Sequence, residues 1–239
     1  MAECKLTYDG TFEGMLCVVL KAVSMRTVPR SIKTDYEIRD LPDRDSYLHI
    51  DSDYELADKL YRHLGKMSSP ENQQIVMDYF LTSIPEKEKD LTVFIVKSLR
   101  YGAYIADDYS DEVVARMQFA IRNLYRESQS YLTSINPVTI GNVHLGIIRP
   151  VNNILPVLRP DLNRKFGDDT MILDSRHNLV YINKFRRNNV IDVRNIGRGE
   201  LTEEAMYRNL WPYFECDTDI KKKSAVSADS LCSLWSVVS

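Results

Sequence analysis

Residues 5–23, Lys-Leu-Thr-Tyr-Asp-Gly-Thr-Phe-Glu-Gly-Met-Leu-Cys-Val-Val-Leu-Lys-Ala-Val, read as a strand, a tight turn and a helix. Leu6 and Tyr8 alternate with Lys5 and Thr7, the pattern of a strand with one apolar side. Asp9-Gly10 is a turn signal, and Thr11 is a residue type that caps helices through its hydroxyl. Phe12, Met15, Leu16, Val19, Leu20 and Val23 then recur at helical spacing and form a broad apolar stripe. Such a stripe needs a partner surface, so this strand and helix are expected in the middle of a layered domain.

The rest of the chain sorts into two kinds of pattern. Residues 35–45 are acidic and read as loop, and Tyr47, Leu48 and Ile50 suggest a short strand. Ser52 with Glu55 three positions on is a capping-box signature for a helix over residues 52–67. Ser69-Pro70-Glu71, Pro85 and Ser110-Asp111-Glu112 open further helices, the second of them stopping at Gly102. After Asn136-Pro137 the composition turns to β-branched residues over 139–148, with a second short apolar run over 153–158 and a short helix over 160–166. Met171-Ile172-Leu173 and Leu179-Val180-Tyr181-Ile182 flank a turn-like Asp174-Ser175-Arg176-His177-Asn178, which predicts a hairpin. Thr202-Glu203-Glu204 caps a last helix that Pro212 bends or ends.

The expected fold is therefore α+β: a mainly helical N-terminal half with an N-terminal strand, then a small antiparallel sheet and a C-terminal helix. Residues 1–215 are read as a single domain with a helical part, 1–135, and a sheet-containing part, 136–215. The tail 216–239, where serine recurs every three residues from Ser224 to Ser239, fits neither helix nor strand and is expected to be poorly ordered.

At 239 residues with 44% hydrophobic composition the chain can bury a sizeable core, and its net charge of −3 announces neither nucleic acid nor membrane. The charge is nevertheless polarised. Residues 35–55 are strongly acidic, whereas residues 176–198 hold Arg176, Lys184, Arg186, Arg187, Arg194 and Arg198 against Asp192 alone. Cys4, Cys17, Cys216 and Cys232 form no metal or disulfide framework, which suits reduced thiols and a cytoplasmic location. No signal peptide is expected, and the longest apolar run is too short to cross a bilayer.

Local motifs carry little chemistry. Asp51-Ser52-Asp53-Tyr54-Glu55 resembles the start of a calcium loop, but Leu56 and Arg62 stand where glycine and glutamate are required. The four histidines, His49, His63, His144 and His177, are scattered, and neither a cofactor nor a metal site is expected. Asp161 and Asp174 are weak catalytic candidates: with Asp168 and Asp169 they would serve a metal-assisted nuclease or a glycosylase-type hydrolase if the fold brought them together. For Asp174 the ordinary reading is a turn residue bonding its own backbone. Residues 181–189, with Lys184, Arg186, Arg187, amides and two aromatics, hold the side chains used to bind phosphates and stack bases.

Several separated patches together resemble a bacterial family of uncharacterised DNA-metabolism or DNA-repair proteins, a domain of unknown function. They are Tyr8-Asp9-Gly10-Thr11-Phe12-Glu13-Gly14, Arg116-Met117 with Arg122, Gly141, Pro150, Asn153-Ile154-Leu155-Pro156, Phe166, Ile172-Leu173-Asp174 and Leu210-Trp211 with Phe214. Members of that family are commonly encoded beside a radical S-adenosylmethionine protein, and related domains occur fused to uracil-DNA-glycosylase-like modules. The chain departs from the pattern at Ala115, Asn123, Asp161-Leu162 and Thr170, and residues 123–140 look inserted. The resemblance implies DNA binding in repair or modification with a partner protein, without supplying a reaction. Phosphate contacts are expected from Arg149, Lys165, Arg176, Lys184, Arg186 and Arg187, and a buried functional pair from Arg116 and Arg122. A non-enzymatic adaptor, binding different proteins through its acidic and basic segments, is the remaining alternative.

Overall fold

A computed structural model describes residues 4–184, 187–193, 202–209 and 211. The chain divides into two compact units that meet between Asn123 and Leu124. The first unit holds strands β1 (Lys5–Tyr8), β2 (Ser31–Thr34) and β3 (Leu48–His49) in the order β2-β1-β3, both neighbours running parallel to β1. Around them are helices α1 (Phe12–Ser24), α2 (Asp35–Ile38), α3 (Tyr54–Met67), α4 (Pro70–Phe80) and α5 (Lys87–Tyr101). Helix α6 (Glu112–Ser134) begins in this unit and carries the chain into the next.

The opening stretch is the centre of the first unit, as its pattern requires. Gly10 takes φ +85, a left-handed turn that suits glycine, and Thr11 then caps α1 by accepting from the Gly14 amide at 3.0 Å. Every residue from Phe12 to Val19 is buried, so the first half of α1 is covered all round, while Val23 is exposed. Phe12 packs edge-on against Tyr61 and Phe80, with ring centroids 5.4 and 5.3 Å away. Two details differ from expectation. Asp53, not Ser52, caps α3, and the acidic stretch read as loop contains the short helix α2, closed by a Thr34–Glu37 capping box.

The second unit is a five-stranded sheet in the order β4-β5-β6-β7-β8, from β4 (Val138–Ile140), β5 (Val143–Ile148), β6 (Thr170–Asp174), β7 (Leu179–Lys184) and β8 (Arg187–Asp192). It is mixed rather than antiparallel, because α7 (Leu155–Phe166) carries the chain back from the end of β5 and makes β6 parallel to it. The apolar run 153–158 is thus a loop and the start of this helix, not a strand, with Pro156 in its first turn. Val143, Leu145, Met171, Leu173, Val180, Ile182 and Ile191 line one face of the sheet and pack with Met206 of α8 (Glu203–Asn209) and with Trp211. The alternate residues face α7, where buried Leu155, Leu158 and Leu162 meet them. The serine-rich tail lies outside the described residues.

Candidate nucleic-acid interface

Parallel pairing of β5 with β6 sets Ile148 opposite Asp174, so the chain leaves both strands at the same end. The Ser175 amide donates to the Ile148 carbonyl at 3.0 Å and extends that pairing by one residue. Arg149 follows β5 directly, and Arg176 follows Ser175 in the turn beyond β6. Both side chains are exposed, and among the described residues neither makes an ion pair.

The carboxylate that ends β6 is out of reach of solvent. Asp174 is fully buried; its Oδ1 accepts from the amides of Arg176 and His177 at 3.0 and 3.1 Å, and its Oδ2 from His177 Nδ1 at 2.7 Å. This is the turn that the sequence suggested, with the imidazole folded back as an added partner. The ring keeps 23% of its surface exposed, and its Nε2 has no partner among the described residues. On α6, Glu127 accepts from the amides of Val151 and Asn152 at 2.6 and 3.0 Å and from Asn152 Nδ2 at 2.7 Å. That clamp holds the loop joining Arg149 to α7. Pro150, Asn153-Ile154-Leu155-Pro156 and Ile172-Leu173-Asp174, which carry part of the resemblance, converge on this end of the sheet.

The other expected phosphate contacts lie elsewhere. Because β7 runs antiparallel to β6, Lys184 and its cross-strand partner Arg187 sit beyond Thr170, at the opposite end of the five-residue strand β6, about 16 Å from Asp174 at ~3.3 Å per residue. Lys184 Nζ stands 4.3 Å over the Trp211 ring. Lys165 donates to the Leu132 and Ile135 carbonyls, capping the C-terminal end of α6, and lies over the Phe166 ring. Arg186 lies outside the described residues, as do Arg194 and Arg198. The expected phosphate contacts among the described residues therefore fall at opposite ends of β6, not in one continuous row.

Arg116 and Arg122 are not a buried pair. Both lie on α6; Arg122 is exposed, and Arg116 grips Asp90 of α5 with Nε and Nη2 at 2.7 and 2.6 Å. Tyr79 of α4 donates to the same carboxylate at 2.7 Å, so one buried aspartate ties three helices together. Burial and this carboxylate push the Tyr79 hydroxyl well above its ordinary value. The tie explains the Arg-Met patch structurally.

The carboxylates expected of a hydrolase do not gather. Asp161 pairs with Arg164 one turn along α7, Asp168 and Asp169 precede β6, and Asp174 ends it. Among the described residues no group of three His, Cys, Asp or Glu is placed to hold a metal ion. No helix among them is long and apolar enough to cross a membrane.

The residue that sequence reasoning passed over is His177. The Asp-x-x-His spacing inside a hairpin turn was its signal, but such a turn does not say which way the ring folds. No curated protein and no solved structure matches the chain. Residues 85–230, most of the chain and all of the β5–β6 end, match the family model described as a domain of unknown function, DUF4130, and the chain belongs to that family.

Proposed function

We propose that the chain binds a polyanion, DNA first of all, at the end of β5 and β6, with Arg149 and Arg176 contacting phosphates and His177 beside them. The observation that carries this reading is a pair of exposed guanidiniums without ion pairs among the described residues, one just past β5 and one two residues past β6, at the shared end of parallel strands that run about 4.8 Å apart, while the carboxylate that ends β6 is buried in its own turn. The resemblance to DNA-repair proteins supports the same ligand and adds a radical S-adenosylmethionine protein as the partner. A pull-down with that protein from the same genome tests the added partner separately.

Anisotropy titrations of single- and double-stranded 20-mers against rising salt test the main reading. Phosphate contacts make affinity fall steeply with salt, with a slope of roughly −0.9 per contact on a duplex. The double variant Arg149→Ala/Arg176→Ala is expected to lower that slope by about 2 while changing folding stability by no more than about 0.5 kcal/mol. Binding that is absent at low salt, or a slope the variant leaves unchanged, overturns the proposal.

A further inference from the structure

We infer that residues 100–112, where α5 ends and α6 begins, form a docking surface for an arginine-bearing basic segment of a partner protein. Helix α5 stops at Gly102, whose φ of +77 turns the chain into a 3-10 stretch over Gly102–Asp107. Tyr101 ends α5, Tyr104 lies in the 3-10 stretch, and Tyr109 follows shortly after it. Tyr101, Tyr104 and Tyr109 are 57%, 86% and 61% exposed. Isolated exposed aromatics are ordinary, but three large rings in nine positions are the material of interfaces.

The fold itself shows what these rings accept. The Arg100 guanidinium lies over the Tyr101 ring, 5.3 Å from its centroid. Tyr104 and Tyr109 have no such cation and no ring contact among the described residues. Beside them Asp107 and Glu112 are exposed and make no ion pair among the described residues, whereas Asp108 accepts from the Ser110 amide and hydroxyl, and Asp111 is engaged by Lys97 and caps α6. Open rings next to unpaired carboxylates fit a guanidinium best, because its plane stacks on an aromatic face while its N–H fork binds a carboxylate. An ammonium gains only the charge term. The same carboxylates repel phosphates, so a basic peptide, not a nucleic acid, is the occupant.

Fluorescein-labelled 12-residue peptides that alternate arginine or lysine with glycine, titrated against the full chain at low salt, test this. The arginine peptide is expected to bind at least fivefold more tightly than the lysine peptide. Tyr104→Ala/Tyr109→Ala should weaken the arginine peptide at least tenfold and erase its advantage, Tyr104→Phe/Tyr109→Phe should preserve it, and Asp107→Asn/Glu112→Gln should reduce the salt dependence of both peptides. Because these side chains are exposed, circular dichroism should be unchanged in every variant. Equal affinity for the two peptides, tyrosine variants that bind as the parent does, or self-association of the chain lost with the tyrosines overturns the inference.

Discussion

Where β1, β2 and β3 end, the chain turns outward through Asp9, Asp35 and the Asp51–Asp53 loop; where β5 and β6 end, it turns outward through Arg149 and Arg176. Both are carboxyl ends of parallel strands, the place where open α/β sheets commonly hold ligands. At the first, acids are spent on the fold. Asp9 Oδ1 accepts from the Thr11 amide and hydroxyl at 2.9 and 2.6 Å, and its Oδ2 from Ser52 at 2.7 Å. Asp35 binds Thr7 at 2.8 Å and His49 at 3.0 Å, and Asp53 caps α3. At the second, one buried acid is spent on the turn and two arginines are left open. Charge that the local backbone consumes is architecture, and charge left unpaired is available to a ligand, so composition alone misleads: in the conspicuous acidic run Asp35, Glu37, Asp43 and Asp53 are held in caps and bonds within the fold.

The comparison breaks first at Asp174. If it anchors the hairpin that presents Arg176, Asp174→Ala strands two amides and the imidazole and is expected to cost about 3 kcal/mol, measured by urea unfolding. A loss under about 1 kcal/mol would mean that the turn forms without its carboxylate. At the acidic end the corresponding probe is Gly14. A Cβ there would lie 2.5 Å from Asp9 Oδ1, 2.7 Å from Ser52 Oγ and 3.0 Å from the Tyr8 ring. Gly14→Ala is expected to cost about 2 kcal/mol through crowding, and less in an Asp9→Ala background, where the closest of the three atoms is gone. Strict additivity of the two substitutions would show that Asp9 is not packed against the helix as described.

The features legible in the sequence are those set by neighbours along the chain. Ser69-Pro70 announces α4, Gly102 ends α5 and Asp174–Asn178 forms a hairpin turn, each because a cap or turn is chosen by its own few residues. Parallel pairing is a different matter. Strand β1 meets β2 with Lys5 opposite Ser31, across a whole helix, and β3 is two residues long, too short for any alternation to register. The run from Asn153 to Leu158 has the length of a buried strand, and only the crossover from β5 to β6 makes it the entry to a helix. The site was half visible for the same reason. Arg149 and Arg176 could be named as cations, but their adjacency depends on that parallel pair, and the Arg116–Asp90 tie spans 26 positions with nothing local to mark it.

Glu88 offers the finest test of whether acids in the first unit are structural. It is buried, with the Tyr8 hydroxyl donating to its Oε1 at 3.2 Å. Burial lifts its pKa above the ordinary 4.5, against the opposing pull of the Lys87 charge. A carboxyl that holds its proton more tightly in the native state stabilises the fold below the unfolded pKa and loses that contribution as pH rises through the native value. Asp43 and Asp111, held below their ordinary range by bonds from Lys5 and Lys97, act in the opposite sense and lose their contribution as pH falls. Glu88→Gln removes the first kind of titration and leaves the second. The stability of the variant relative to the parent should therefore rise with pH from the ordinary carboxylate value upward, and the variant should be at least as stable at pH 7. A difference that stays flat or falls across that window would mean that Lys87 outweighs burial and that Glu88 works as an ion-pair partner.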